Sequence, residues 1–127
     1  MNSLLTERAC SVAPEAPRLS VAIPTLNGGP RLEKLVDALE RQGPSVGSLE
    51  VLVADSGSTD GIVDGLQSRL PSLRVFDVAP GEFNHGLVRT ALARAARGPL
   101  VAFLSQDAVP IGERCLATLA APFQDPR

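Results

Sequence analysis

Four short apolar runs alternate with stretches whose apolar residues recur at helical spacing, and this alternation constrains the chain more than any other feature. The first run, Leu19 to Ile23, is stopped by Pro24 and suits a buried parallel strand. Thr25 to Gly29 reads as a loop, and Pro30 fits the first turn of a helix. In that helix Leu32, Leu35, Val36 and Leu39 form one face, Arg31, Lys34, Asp37, Glu40 and Arg41 the other, and Gly43-Pro44 is expected to end it. Leu49 to Ala54 is a second strand. Ser58 or Thr59 is expected to cap a second helix with Ile62, Val63, Leu66 and Leu70 as its stripe and Pro71 as its stop. A short strand over Leu73 to Val78, a loop over Pro80 to Asn84, a helix over Gly86 to Ala96 ended by Gly98-Pro99, and a strand over Leu100 to Leu104 follow. A last helix after Pro110 carries Leu116, Leu119 and Ala120. Strand and helix in strict alternation predict an α/β fold with a mostly parallel sheet and helices on both faces.

At 127 residues the chain supports one domain with one core. Having four Phe and no Trp or Tyr, it must build that core from Leu, Val, Ile and Ala. A net charge of -2 gives no reason to expect a nucleic acid as partner. Cys10 and Cys115 are too few and too far apart for a disulfide framework or a zinc site. No apolar run approaches the ~20 residues of a membrane span. Residues 1–17 lack the apolar segment of a secretory signal and carry Glu7, Arg8 and Glu15. They read as a flexible leader, with Pro14 and Pro17 discouraging a helix before the domain over residues 18–127. A cytoplasmic setting is the default expectation, with membrane association through another protein left open.

The most suggestive chemistry stands at strand ends. In an open parallel sheet, ligands collect beyond the carboxyl ends of the strands. The second strand runs into Asp55-Ser56-Gly57-Ser58-Thr59-Asp60-Gly61, a carboxylate followed by a small, polar turn that lets a ligand approach. Asp55 fits either a turn aspartate or an ionised acceptor for a nucleobase N–H or a ribose hydroxyl. Asp107, after Leu104-Ser105-Gln106, fits either a turn residue or a carboxylate that holds a divalent cation against a diphosphate. Arg89, near the start of the third helix, reads as solvated, like Arg94 and Arg97, or as a positive group beside an anionic or heterocyclic ligand. His85, the one histidine, lies in a distinctive Glu82-Phe83-Asn84-His85-Gly86 loop with no role fixed by its type. A Walker loop, a Gly-x-Gly-x-x-Gly turn after the first strand and a Gly-x-Ser-x-Gly elbow are all absent, which disfavours P-loop NTPases, dinucleotide dehydrogenases and serine hydrolases.

Taken together, Ser20-Val21-Ala22-Ile23-Pro24-Thr25-Leu26-Asn27, Val53-Ala54-Asp55-Ser56-Gly57-Ser58-Thr59-Asp60-Gly61 and Phe103-Leu104-Ser105-Gln106-Asp107-Ala108 resemble three motifs of family 2 glycosyltransferases, in order and in register. The Glu-Phe-Asn-His-Gly loop and Ser-Gln-Asp-Ala resemble its rhamnosyltransferase-like branch. The resemblance implies a Rossmann-like GT-A fold and an inverting transfer of a sugar, rhamnose among the candidates, from a dTDP- or UDP-linked donor to a glycan or lipid-linked acceptor, as in polysaccharide biosynthesis. It implies that Pro24, Thr25 and Asn27 border the nucleotide, that Asp55 binds base or ribose, that Ser56, Arg89 and Gln106 join the nucleotide site, and that Asp107 binds Mg2+ or Mn2+. Two positions depart from the family pattern: Ser105 replaces the first aspartate of the metal motif and Thr90 replaces an asparagine after Arg89. Family members continue past the metal motif with acceptor-binding strands and a catalytic base. Glu113 and Asp125, the acids after Asp107, match neither, so no catalytic residue is assigned and the chain is expected to be the N-terminal nucleotide-binding portion of such a domain.

Two other classes compete. A non-catalytic, truncated nucleotide-binding or interaction module is favoured by the missing base, and exposed apolar surface would then promote self-association. A flavodoxin-like signalling domain phosphorylated on Asp55 is disfavoured, because the first strand ends in Pro-Thr and Lys34 is the only lysine.

Overall fold

The computed structural model describes residues 4–8, 16–70, 72–79, 81, 84–106, 108–112 and 114–124. Of the residues singled out above, Cys10, Pro14, Glu15, Pro71, Pro80, Glu82, Phe83, Asp107, Glu113 and Asp125 lie outside the described residues. The elements run β1 (Leu5–Glu7), β2 (Leu19–Thr25), α1 (Gly29–Val46), β3 (Leu49–Asp55), α2 (Ile62–Arg69), β4 (Arg74–Val78), α3 (His85–Ala95), β5 (Leu100–Phe103) and α4 (Cys115–Gln124). They form one five-stranded sheet in the order β1-β4-β3-β2-β5. Every neighbouring pair is parallel except β1 with β4.

Each face of the sheet carries its own apolar layer. On one, Val21, Ile23, Val53 and Val75 pack against Leu32, Leu35, Val36 and Leu39 of α1, Val63 and Leu66 of α2 and Leu116 of α4. On the other, Ala22, Leu52, Ala54, Phe76 and Val78 pack against Val88 and Leu92 of α3. The alternation along each strand thus feeds two layers, as a parallel sheet requires.

Several boundaries differ from the sequence expectation, each for a visible reason. The expected loose leader does not hold for residues 4–8. Leu5 and Glu7 pair with Val78 and Phe76, and Leu4 and Leu5 join the α3-side layer. Strand β2 does not stop before Pro24 but runs to Thr25. Backbone groups alternate sides, so Pro24 shares with Ala22 the edge that faces β5, and the β5 pairing ends at Ala22 with Phe103. The missing Pro24 N–H therefore removes no rung of the ladder. Helix α1 likewise passes Gly43-Pro44 and ends at Val46, which is buried, where the Gly47 N–H donates to the Gly43 carbonyl with φ of 102°. Helix α2 begins after Gly61, not at a Ser58 or Thr59 cap, because those two residues are used elsewhere. α4 starts at Cys115, later than Pro110 suggests, and is held to α1 by buried Gln42, which accepts from the Leu116 N–H at 3.0 Å and donates to the Gly112 carbonyl. Cys115 is a free, partly buried thiol.

Candidate nucleotide site at the carboxyl ends of the strands

Strand order reverses at β2: β3 and β4 lie to one side of it and β5 to the other. Such a reversal opens a crevice beyond the carboxyl ends of the strands. Parallel register puts Thr25, Asp55 and Asp77 level with one another at that end.

Asp55 closes β3 with a side chain only 3% exposed. Its Oδ1 accepts from the Ser58 N–H at 2.9 Å and the Ser58 hydroxyl at 2.6 Å, which folds the polar turn back over the carboxylate, with Gly57 supplying a φ of 95°. Its Oδ2 accepts from Arg8 Nη2 at 3.3 Å. The Ser56 N–H donates to the Thr25 carbonyl at 3.0 Å, while the Ser56 hydroxyl is buried with no partner among the described residues. A buried hydroxyl in that condition is costly unless something else satisfies it.

The loop after β2 is pinned from both sides. Asn27, with φ of 46°, donates its N–H to the Ser58 hydroxyl at 2.8 Å, and its Oδ1 accepts from the Thr59 N–H at 2.8 Å. From the β5 side, Gln106 Oε1 accepts from the Thr25 hydroxyl at 2.5 Å and the Leu26 N–H at 3.0 Å. Asp60 then joins the two helix starts, accepting from the Gly29 N–H at 3.0 Å and the Ile62 N–H at 3.1 Å.

The structure therefore links Thr25, Asn27, Asp55 and Gln106 through direct contacts and their shared neighbour Ser58. Pro24 precedes Thr25 in β2, and Ser56 follows Asp55. Arg89 is exposed on α3, its guanidinium 6.0 Å from the ring centre of Phe103, the last residue of β5. Asn84 caps α3 by accepting from the Leu87 N–H at 3.1 Å. Asp107 lies outside the described residues, and among the described residues no group of three His, Cys, Asp or Glu side chains forms a metal-binding cluster.

Sequence reasoning missed two groups here. Ser58 and Thr59 read as helix caps, but they lock Asp55 and Asn27. Arg8 entered only as a charge against a secretory signal, and Asp64 and Asp77 not at all, yet Arg8 bridges Asp77, Asp64 and Asp55. Its guanidinium is held protonated well beyond the ordinary arginine range, chiefly by its hydrogen bond to Asp77, with burial opposing and Asp64 adding.

The family model described as Glycosyl transferase family 2 matches residues 20–127. This chain belongs to glycosyltransferase family 2. Among its relatives, the O-antigen chain rhamnosyltransferase RfbN of Salmonella typhimurium is 32% identical over 110 residues, 86% of this chain and 34% of the relative. Among solved structures, the mannosyltransferase PcManGT of Pyrobaculum calidifontis, in complex with GDP-Man and Mn2+, superposes with a TM-score of 0.73 at 31% identity, over 94% of this chain and 36% of that one. TarS of S. aureus in complex with UDP-GlcNAc gives 0.68 at 28% identity, over 82% and 30%. This family 2 chain thus spans about a third of the length of these relatives. The rhamnosyltransferase-like resemblance and the Rossmann-like GT-A fold both hold, the fold over the part the chain covers.

Proposed function

We propose that this glycosyltransferase family 2 domain binds a nucleoside diphosphate sugar in the crevice at the ends of β2, β3 and β5, as the donor half of an inverting sugar transfer. The observation that carries this reading is buried Asp55 followed by the Ser56 hydroxyl, which has no partner among the described residues, beside a loop braced from both sides. Asp55 accepts a hydrogen bond from base or ribose, the Pro24-Thr25-Asn27 loop borders the nucleotide, Ser56 offers its hydroxyl, and Gln106 fixes the loop. Arg89 places positive charge near the ligand at the end of β5.

Asp107 supplies one carboxylate and Ser105 a hydroxyl, a hard-oxygen set suited to Mg2+ or Mn2+ when the ligand's phosphates complete the shell. Such an ion offsets charge on the departing diphosphate. The complexes named for the neighbours, with GDP-Man and Mn2+ and with UDP-GlcNAc, support a nucleotide-sugar donor and a divalent ion. A dTDP- or UDP-linked donor, with rhamnose as the sugar, and a glycan or lipid-linked acceptor in polysaccharide biosynthesis are supported by the relative named for O-antigen chain rhamnosyl transfer. The setting proposed is cytoplasmic, with membrane association through another protein left open; among the described residues no helix is long and apolar enough to cross a membrane. No residue of the chain is assigned as the base that activates the acceptor.

Isothermal titration with UDP, dTDP and GDP, each with and without Mn2+, tests the reading. Metal-dependent binding of UDP or dTDP is expected, and its absence for all three nucleotides counts decisively against the site. Leu119 and Phe123 of α4 and Phe103 at the edge strand β5 are exposed, which supports self-association of the chain. Light scattering that finds a monodisperse monomer at high concentration rejects that part.

A further inference from the structure

Arg8 lies outside residues 20–127, where the family match falls, yet its guanidinium reaches the carboxylate at the end of β3. Strand β1 explains how. It runs antiparallel along β4 with Glu7 opposite Phe76, and the Arg8 N–H still donates to the Val75 carbonyl at 2.8 Å. Side chains alternate along a strand, so Glu7 takes the face of Arg74 and Phe76 while Arg8 takes the face of Asp77 and Asp55. There Nε and Nη2 grip Asp77 as a fork at 3.0 and 2.8 Å, Nη1 donates to Asp64 at 2.8 Å, and Nη2 reaches Asp55 Oδ2 at 3.3 Å.

Two features separate this from an ordinary surface ion pair. The contact to Asp55 is the longest of the set and goes to the one buried partner among the described residues: Asp77 and Asp64 are 49% and 78% exposed, Asp55 3%. Arg8 is thus anchored on the outer pair and extended toward the inner one. A carboxylate offers about four lone-pair sites. Ser58 uses two on Oδ1 and Arg8 one on Oδ2, which leaves an Oδ2 acceptor open among the described residues. The second feature is charge. Three carboxylates around one guanidinium keep the cluster negative, so it disfavours phosphate and suits an uncharged group that donates N–H or O–H. In a nucleoside diphosphate sugar that group is the nucleoside.

We propose that Arg8 is a positioning residue for the nucleoside: braced on Asp77 and Asp64, it fixes Asp55 Oδ2 so that the remaining acceptor serves the base or ribose. The proposal rests on the nucleotide-binding reading above and adds to it a residue from before the family match.

The test measures affinity of the full chain for whichever of UDP and dTDP it binds. Wild type is compared with Arg8→Ala, Arg8→Lys, Asp55→Asn and the Arg8→Ala/Asp55→Asn double variant, with melting temperatures followed in parallel. Arg8→Ala is expected to weaken binding about tenfold, the range of one charge-assisted hydrogen bond, and Arg8→Lys to recover part of the loss. In the Asp55→Asn background the same change is expected to cost about twofold or less, because residues that act through one another do not add. Equal losses in both backgrounds overturn the proposal, since Arg8 would then act on the fold alone. Tighter binding by Arg8→Ala also overturns it, making Arg8 an obstruction. If Arg8→Ala melts early, Asp77→Asn keeps Arg8 and loosens its brace; unchanged affinity in that variant overturns the proposal, and a loss of about threefold supports it. A wild type that binds none of the nucleotides removes the underlying site first, and Arg8's role with it.

Discussion

The two ends of the sheet both bury charge, and they do so to opposite effect. At the amino end, Glu50 of β3 is 1% exposed and Arg74 of β4 is 4% exposed. Glu50 takes Arg74 Nη1 on one oxygen, and on the other the Ser20 hydroxyl at 2.9 Å and the Arg97 N–H at 3.0 Å. Arg74 also donates to the Ala95 carbonyl at 2.8 Å, forks onto Glu7 at 2.8 and 3.0 Å, and lies 5.2 Å from the Phe76 ring centre. A Cβ on Gly98 would fall 2.8 Å from Ser20 Oγ, so nothing further fits there. At the carboxyl end, Asp55 carries three bonds, as Glu50 does, but beside it the Ser56 hydroxyl is buried with no partner among the described residues. Burial alone therefore does not mark a site. A closed network with no room beside it holds the fold, whereas one with an unpartnered hydroxyl beside a crevice has chemistry left for a ligand.

The largest expected effect breaks the closed end. Glu50→Ala leaves Arg74 buried with Glu7 as its remaining carboxylate, and removing one member of a buried pair costs about 3 kcal/mol or more. Urea denaturation should show that loss, while nucleotide affinity of the folded protein stays near wild type. A loss under about 1 kcal/mol would mean that this network is no clamp, and the contrast between the ends would fail.

Gly28→Ala probes the other end. Gly28 has φ of -66° and ψ of -21°, which any residue adopts, so its constraint is space alone. An added Cβ would lie 2.8 Å from Leu32 Cβ, 3.0 Å from Thr25 Oγ1 and 3.1 Å from Gln106 Oε1. Relief requires Leu32 to shift and the Thr25–Gln106 contact to give, at a cost of roughly 1–3 kcal/mol for such overpacking. The stability loss should be smaller than for Glu50→Ala, yet nucleotide affinity should fall, the reverse ranking. Wild-type affinity in Gly28→Ala would show that the loop's position does not matter to the ligand.

What was legible in the sequence follows from how local each signal is. The strand and helix cores rest on period and breakers within a few residues, so β2 to β5 and the stripes of α1 and α2 are readable. Asp55 stands out as a candidate because a strand end followed by a polar turn is itself a local pattern, whereas Thr25 and Asn27 are singled out only by their resemblance to the family's first motif. Strand β1 is not: it has three residues, one of them apolar, and exists only because β4 offers an edge far along the chain. Arg8 is hidden for the same reason, its partner Asp77 lying 69 residues away. Ser58 misled because its type suits a helix cap as well as a carboxylate brace, and only the arrival of Asn27 beside it decides the matter. Pro44 misled because its penalty was weighed without the burial of Val46 one turn's end later.

The smallest expected effect uses the strand that touches both ends, since Glu7 of β1 binds Arg74 while its neighbour Arg8 binds Asp55. Glu7 titrates below its ordinary value of 4.5, first because Arg74 donates hydrogen bonds to its charged form, with the charges of Arg74 and Arg97 adding and burial opposing. A depressed carboxylate binds fewer protons in the folded state than in the unfolded one, so its stabilisation is fully present above the unfolded value and fades as pH falls through the lower folded value. Its side chain is 36% exposed, so solvent screening keeps the contribution small. Urea midpoints between pH 6 and about pH 3 should therefore fall more steeply for wild type than for Glu7→Gln, whose side chain does not titrate. Parallel curves would show that the Glu7–Arg74 bridge adds nothing to the closed end, leaving Glu50 alone to account for its stability.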